Sequence, residues 1–386
     1  MKLSLASSLL LLGAASVQAF LPATNSLHTP RVESPLFNVP PPATTDKEAY
    51  QEYANKQAPP ASFFELQQDC VRSAKLAIDD GELLMEVEFP PLPASVLELD
   101  DVSAYDVASA NLNLALEFCK GILANAKGGD EKSGQIQNVA IMLPDEDEAR
   151  ISIERLTGKK DEYIAPTVKV ESGITVSSLR RSDEADDRLI KPEQTFLNLF
   201  GGGDNKNGGV KPLNNTDLYV CLVASAQELP DIERLHNQVG DVPIIFYNLK
   251  LDVLRGDLGA PAFPSKAFQD RFLSRVKPVY YLRTRQYSRS TPRPPFLVNY
   301  QGCLFRAYPG HYQTLLDTGT GSYRRLLGSP MRPALGEFKE QLTQALRDEG
   351  VLPQSEGSAF DFLRTGYKTT TWWEEDREDA SDSWRT

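Results

Sequence analysis

The chain has 386 residues and a formal net charge of -12, with 53 acidic side chains against 41 lysines and arginines. A balance this acidic disfavours a polyanion as the general partner. Cys70, Cys119, Cys221 and Cys303 stand far apart with no C-x-x-C pair, which excludes a disulfide framework or a cysteine metal site and predicts buried free thiols.

The first residues read as an address. Lys2, an apolar run too short to span a bilayer and Val17-Gln18-Ala19 predict a signal peptide over residues 1–19. Residues 20–45 are rich in Ser, Thr and Pro, carry Arg31 and contain Glu33 as their only acid, which is transit-peptide composition. The Ala19-Phe20 junction resembles the two-part plastid presequence of diatoms and related algae. That resemblance implies passage through the ER to the plastid stroma or the stromal face of the thylakoid. Plain secretion, with the second stretch as a propeptide, is the alternative.

Beyond the leader, Phe63, Leu66, Cys70, Ala74, Ala77 and Ile78 recur at helical spacing, and Gly81 ends the run. LLMEVEFPPLP follows as a strand closed by prolines. Ser103 and Asp106 form a capping box for a long helix, and NVAIMLPD is a strand that leads into the helix EDEARISIERLTG. Residues 158–216 read as a mobile insertion, with a hairpin about Ser172-Gly173. DLYVCLVA and VPIIFYNL are strands separated by a helix that places His236 on its polar side. KAFQDRFLSRV is a helix and KPVYYLRTRQ a strand. PFLVNYQGCLFRAYPG reads as a hairpin turning at Gln301-Gly302, and a helix from Arg332 to Gly350 precedes an irregular acidic tail over 350–386. Short apolar strands alternating with helices predict a single α/β domain over residues 60–345. Its architecture is a Rossmann-like layered fold: a mainly parallel sheet, helices on both faces, and an antiparallel hairpin near the C-terminal end.

Motifs for catalysis are lacking. GGGDNKNGGVKP has P-loop glycine spacing at Gly203 and Gly208, but Gly209 replaces the lysine and Pro212 prevents the helix that holds the phosphate. His311 with Asp317 and Cys303 has no spacing that marks a catalytic group, and no metal or cofactor pattern is present. In layered sheets ligands gather at the carboxyl ends of strands, where Asp145, Asn248 and Asp252 fall. Two readings stay open for them: a shared pocket, or plain helix capping and turn formation.

Two other stretches suit partners. Between Arg271 and Arg332 the one carboxylate is Asp317, while Arg283, Arg285, Arg289 and Arg293 alternate with tyrosines. Such a face suits an acidic protein or an anionic lipid surface, or simply balances acidic segments inside the fold; nucleic acid is disfavoured by the charge of the rest. Trp372 and Trp373, beside an acidic run, read as a docking segment or a disordered end.

The phrases EVEFPPLP, NVAIMLPDEDEA, LYVCLVA, VPIIFYNLKLD and GCLFRAYPGHYQTLL together resemble a chloroplast domain family of undefined activity. It occurs in the low photosystem II accumulation proteins and is appended to some plastid adenylate kinases. The resemblance covers about residues 60–345. It implies an auxiliary role in photosystem II assembly or maintenance, with core subunits or other thylakoid proteins as partners and no catalytic residues to carry over. The alternative is a small-molecule or nucleotide-binding α/β domain, with or without enzymatic activity, using the strand-end residues.

Overall fold

Four short strands run through the middle of the molecule, buried on both faces. They are β1 (Leu84–Glu88), β2 (Val139–Leu143), β7 (Leu218–Cys221) and β8 (Ile244–Tyr247). The computed structural model describes residues 47–93, 96, 101–124, 135–158, 164–181, 209–252, 265–353 and 380–386. The leader segments, residues 201–208 of the glycine-rich stretch, and Trp372 and Trp373 lie outside the described residues.

The sheet is completed by β3 (Val168–Glu171), β4 (Ile174–Ser178), β9 (Lys277–Ser290), β10 (Leu297–Ala307), β11 (Tyr312–Asp317) and β12 (Tyr323–Ser329). Its ten strands run in the order β12-β11-β10-β9-β1-β8-β7-β2-β4-β3. Pairing is parallel from β9 through β1, β8, β7 and β2 to β4. It is antiparallel at β3 and through the β9-β10-β11-β12 meander. A separate ribbon pairs β5 (Arg180–Arg181) with β6 (Gly209–Val210).

Helices cover both faces because β1 alternates between two cores. Met85, Val87 and Phe89 point into one core with residues of α2 (Phe63–Asp79), α3 (Ala104–Ala124) and α4 (Glu146–Thr157). Leu84 points into the other with residues of α5 (Leu229–Val239), α6 (Lys266–Arg271) and the 3-10 turn Leu273–Arg275. Phe338, Leu342 and Leu346 of α7 (Leu335–Asp348) pack with residues of β10 and β11. A first helix, α1 (Lys47–Lys56), had no strong periodicity to announce it.

Local chemistry sets the helix starts. Ser62 Oγ accepts from Glu65 N on α2, and Asp145 Oδ1 accepts from Glu148 N on α4. At α3 the box is reciprocal: Ser103 N donates to Asp106 Oδ2 at 2.9 Å, and Asp106 N donates to Ser103 Oγ at 3.2 Å. Each such cap stabilises its helix by about 1 kcal/mol. The hairpin about Ser172-Gly173 joins β3 to β4, with Gly173 at φ 78°. Both strands belong to the main sheet, so this part of 158–216 is framework rather than insertion.

Two expectations are corrected. Gln301-Gly302 is no turn, because β10 runs straight through it and the chain reverses at residues 291–296. Gly302 is there for closeness: a Cβ would meet Leu342 Cδ2 at 2.6 Å and Leu315 O at 2.8 Å. Gly302→Ala is therefore expected to cost about 1–3 kcal/mol through overpacking. Thermal denaturation reads it, and an unchanged midpoint would show that Leu342 yields freely. His236 is buried, 6.3 Å between ring centroids from Phe272, and not on a polar face.

The four cysteines are buried and unbonded. Part of the tail returns to the body. Trp384 is buried, its N donates to Ser274 O at 3.1 Å, and Arg332 N donates to Arg385 O at 2.7 Å.

Candidate functional site

At the carboxyl ends of β1 and β8, and beside them on β9 from Tyr281 to Arg285, the sheet carries charge where its neighbours carry hydrocarbon. Glu86 and Glu88 lie on the face of β1 away from Met85 and Val87, and both are buried. Glu88 is paired in register with Tyr281 of β9. The loop after β8 is bent by two residues in the left-handed region, Asn248 and Lys250, each at φ 53°.

Asn248 fixes that bend. Its N donates to Val87 O and its Oδ1 accepts from Phe89 N, each at 2.8 Å. Its Nδ2 donates to Asn111 Oδ1 on α3, also at 2.8 Å. Lys250 N donates to Glu88 Oε2 at 3.0 Å. The backbone so held delivers Asp252 to β9. There Asp252 Oδ2 accepts from Arg283 Nη1 at 3.0 Å, from Arg332 Nη2 and from the Tyr281 hydroxyl, with Arg285 Nη2 at 3.9 Å. Arg332 is also stacked over the rings of Tyr281 and Trp384, at 4.7 and 5.9 Å from their centroids.

Exposure is graded across the cluster. The side chains of Arg332 and Asp252 are 6% and 7% exposed, those of Arg283 and Arg285 22% and 30%. The cluster is closed on the Arg332 side and open at Arg285. Burial, then the charge of Glu86, pushes Glu88 up to about 8, so at neutral pH it keeps its proton. Burial lowers the basicity of Arg332 less than Asp252 and Tyr281 raise it, so it stays charged.

The structure thus joins two groups that the sequence kept apart. Asn248 and Asp252 meet Arg283 and Arg285, whereas Asp145 caps α4 at the end of β2, with β7 between β2 and β8. Arg283 and Arg285 face Asp252 and so contribute to internal charge balance. Arg289 lies further along β9, and Arg293 is exposed in the 291–296 turn. Glu86, Glu88 and Arg332 were not singled out for this site. The available signal was two acids in a strand that the layering places centrally, where a charge demands a partner.

Among the described residues, Cys303 is not placed as an activated nucleophile. Burial pushes the Cys303 thiol upward, the opposite of an activated cysteine. Among the described residues no group of three or more His, Cys, Asp or Glu is placed to hold a metal, and no helix is long and apolar enough to cross a membrane.

These features define a layered α/β domain with a buried ionic cluster at its central strand ends. Residues 60–340 match the family model described as a domain of unknown function (DUF1995), and the chain belongs to that family. The family is associated with the plastid low photosystem II accumulation proteins, an association that supports a plastid location and an accessory role there. Neither a curated protein nor a solved structure matches the chain.

Proposed function

We propose that this protein is a plastid auxiliary factor for photosystem II assembly or maintenance, acting by protein interaction at the thylakoid. The observation that carries the reading is the outer half of the β9–β10 ribbon. Past Tyr281, β9 is paired among the described residues by β10 alone, and the ribbon ends in an exposed apolar tip. Phe296 is 66% and Leu297 54% exposed, beside Pro294, Pro295 and Arg293. From Lys277 to His311 there is no carboxylate, so the arm has no negative charge of its own. An apolar tip on a basic ribbon fits an acidic surface of a core subunit, with the Phe296 ring supplying area and arginine supplying steering.

The test uses the tagged chain incubated with gently solubilised thylakoids. Phe296→Ser with Leu297→Ser and Arg293→Glu is expected to lose photosystem II core subunits by at least tenfold, at unchanged thermal stability. Equal recovery by the variant would remove the arm as the docking element.

A further inference from the structure

The cluster where β1 and β8 end beside β9 holds, among the described residues, more donors than the acceptors seen there use. Three guanidiniums converge on one oxygen of Asp252. Each guanidinium offers five N–H donors and no acceptor. Arg332 Nη1 is buried with no hydrogen-bond acceptor among the described residues. Of the described carboxylates, Glu88 is pushed upward by burial and accepts from the Lys250 amide at Oε2, while Asp252 is the one seen in contact with all three arginines.

The arrangement is also less buried on one side. Arg285 and Arg283 are the exposed side of the cluster, and Lys250 is exposed on the loop that frames it. The position is the carboxyl end of parallel strands, where strand and loop backbones leave room for a ligand in open α/β sheets. Planar guanidiniums match tetrahedral oxyanions, whose oxygens accept two N–H groups at once. We propose that Arg283, Arg285 and Arg332 form a binding site for the phosphoryl group of a small molecule. Asp252 holds the three arginines in place, and Asn248 holds the loop that presents Asp252. This site is separate from the arm tip, so it stands or falls independently of the docking role.

Isothermal titration calorimetry of the full chain at pH 7 tests it, with pyrophosphate and inorganic phosphate as probes. Saturable binding is expected, weakened at least tenfold by Arg285→Gln and unchanged by Arg293→Gln, which lies outside the cluster. Arg285 is chosen because it is the least buried of the three arginines, whereas an Arg332 variant risks unfolding. Absence of saturable binding by both probes overturns the proposal. So does an equal loss in the two variants, which would mean attraction to a basic surface only. Vesicles containing phosphatidylglycerol form the third arm: binding to them without binding of either free probe would assign the arginines to lipid and overturn a small-molecule site. Because thylakoid retention is read on arm variants, failure here leaves that result untouched.

Discussion

Asp252→Ala is expected to lower the unfolding free energy by about 3–5 kcal/mol, the range for breaking a buried ion pair from one side. The substitution leaves Arg332 buried with its charge unanswered and removes the acceptor of the Tyr281 hydroxyl. Arg283 and Arg285 would then repel Arg332 across the space that Asp252 occupied. Urea denaturation measures the cost. Combining Asp252→Ala with Arg332→Met should cost less than the sum of the two single changes, because the second removes the stranded charge. A loss under about 0.5 kcal/mol for Asp252→Ala would place the pair in the class of surface salt bridges and deny it a structural role.

Glu88→Gln should flatten the pH dependence of stability and leave the variant more stable than the parent at pH 8. Burial and Glu86 raise Glu88 from the usual 4.5 to about 8 in the folded chain. Between these values the unfolded chain has lost the proton that the folded chain keeps. Stability attached to that proton is fully present below 4.5 and is lost as pH rises towards 8, with a slope of at most about 1.4 kcal/mol per pH unit. Glutamine keeps an acceptor for the Lys250 amide but carries no proton to lose. Asp69, which burial raises from 3.8 to about 6, contributes a slope of its own that ends near pH 6. The decisive window is therefore pH 6.5–8. Denaturant midpoints with the same slope there in parent and variant would mean that Glu88 is not the titrating group.

Local signals in the sequence carried most of the framework. Apolar runs of four or five residues gave β2, β7 and β8, helical spacing gave α2 and α3, and the Ser103–Asp106 box was legible before its geometry was seen. The failures also have a local cause. Gln301-Gly302 has turn composition, yet its glycine answers to Leu342 on α7, a contact no short window contains. In β12, Arg324 and Arg325 interrupt the apolar pattern, so this edge strand has no local signal to predict it. The cluster was visible only in fragments. Asn248, Asp252, Arg283 and Arg285 each drew notice from strand ends or charge. Their assembly with Glu88 and Arg332 depends on β8, β1 and β9 being neighbours, which is sheet order and not sequence spacing.

The docking of Trp384 and Arg385 places a late event in the history of each new molecule. Domains organise from the N-terminus as synthesis proceeds. β1, β8 and β9 are all available once residue 290 has emerged. The shell around Arg332 has to wait: its backbone amide finds its acceptor only on Arg385, and its guanidinium packs over Trp384. A nascent chain stalled before residue 384 therefore holds a formed sheet around an ionic core that Trp384 and Arg385 have yet to cover.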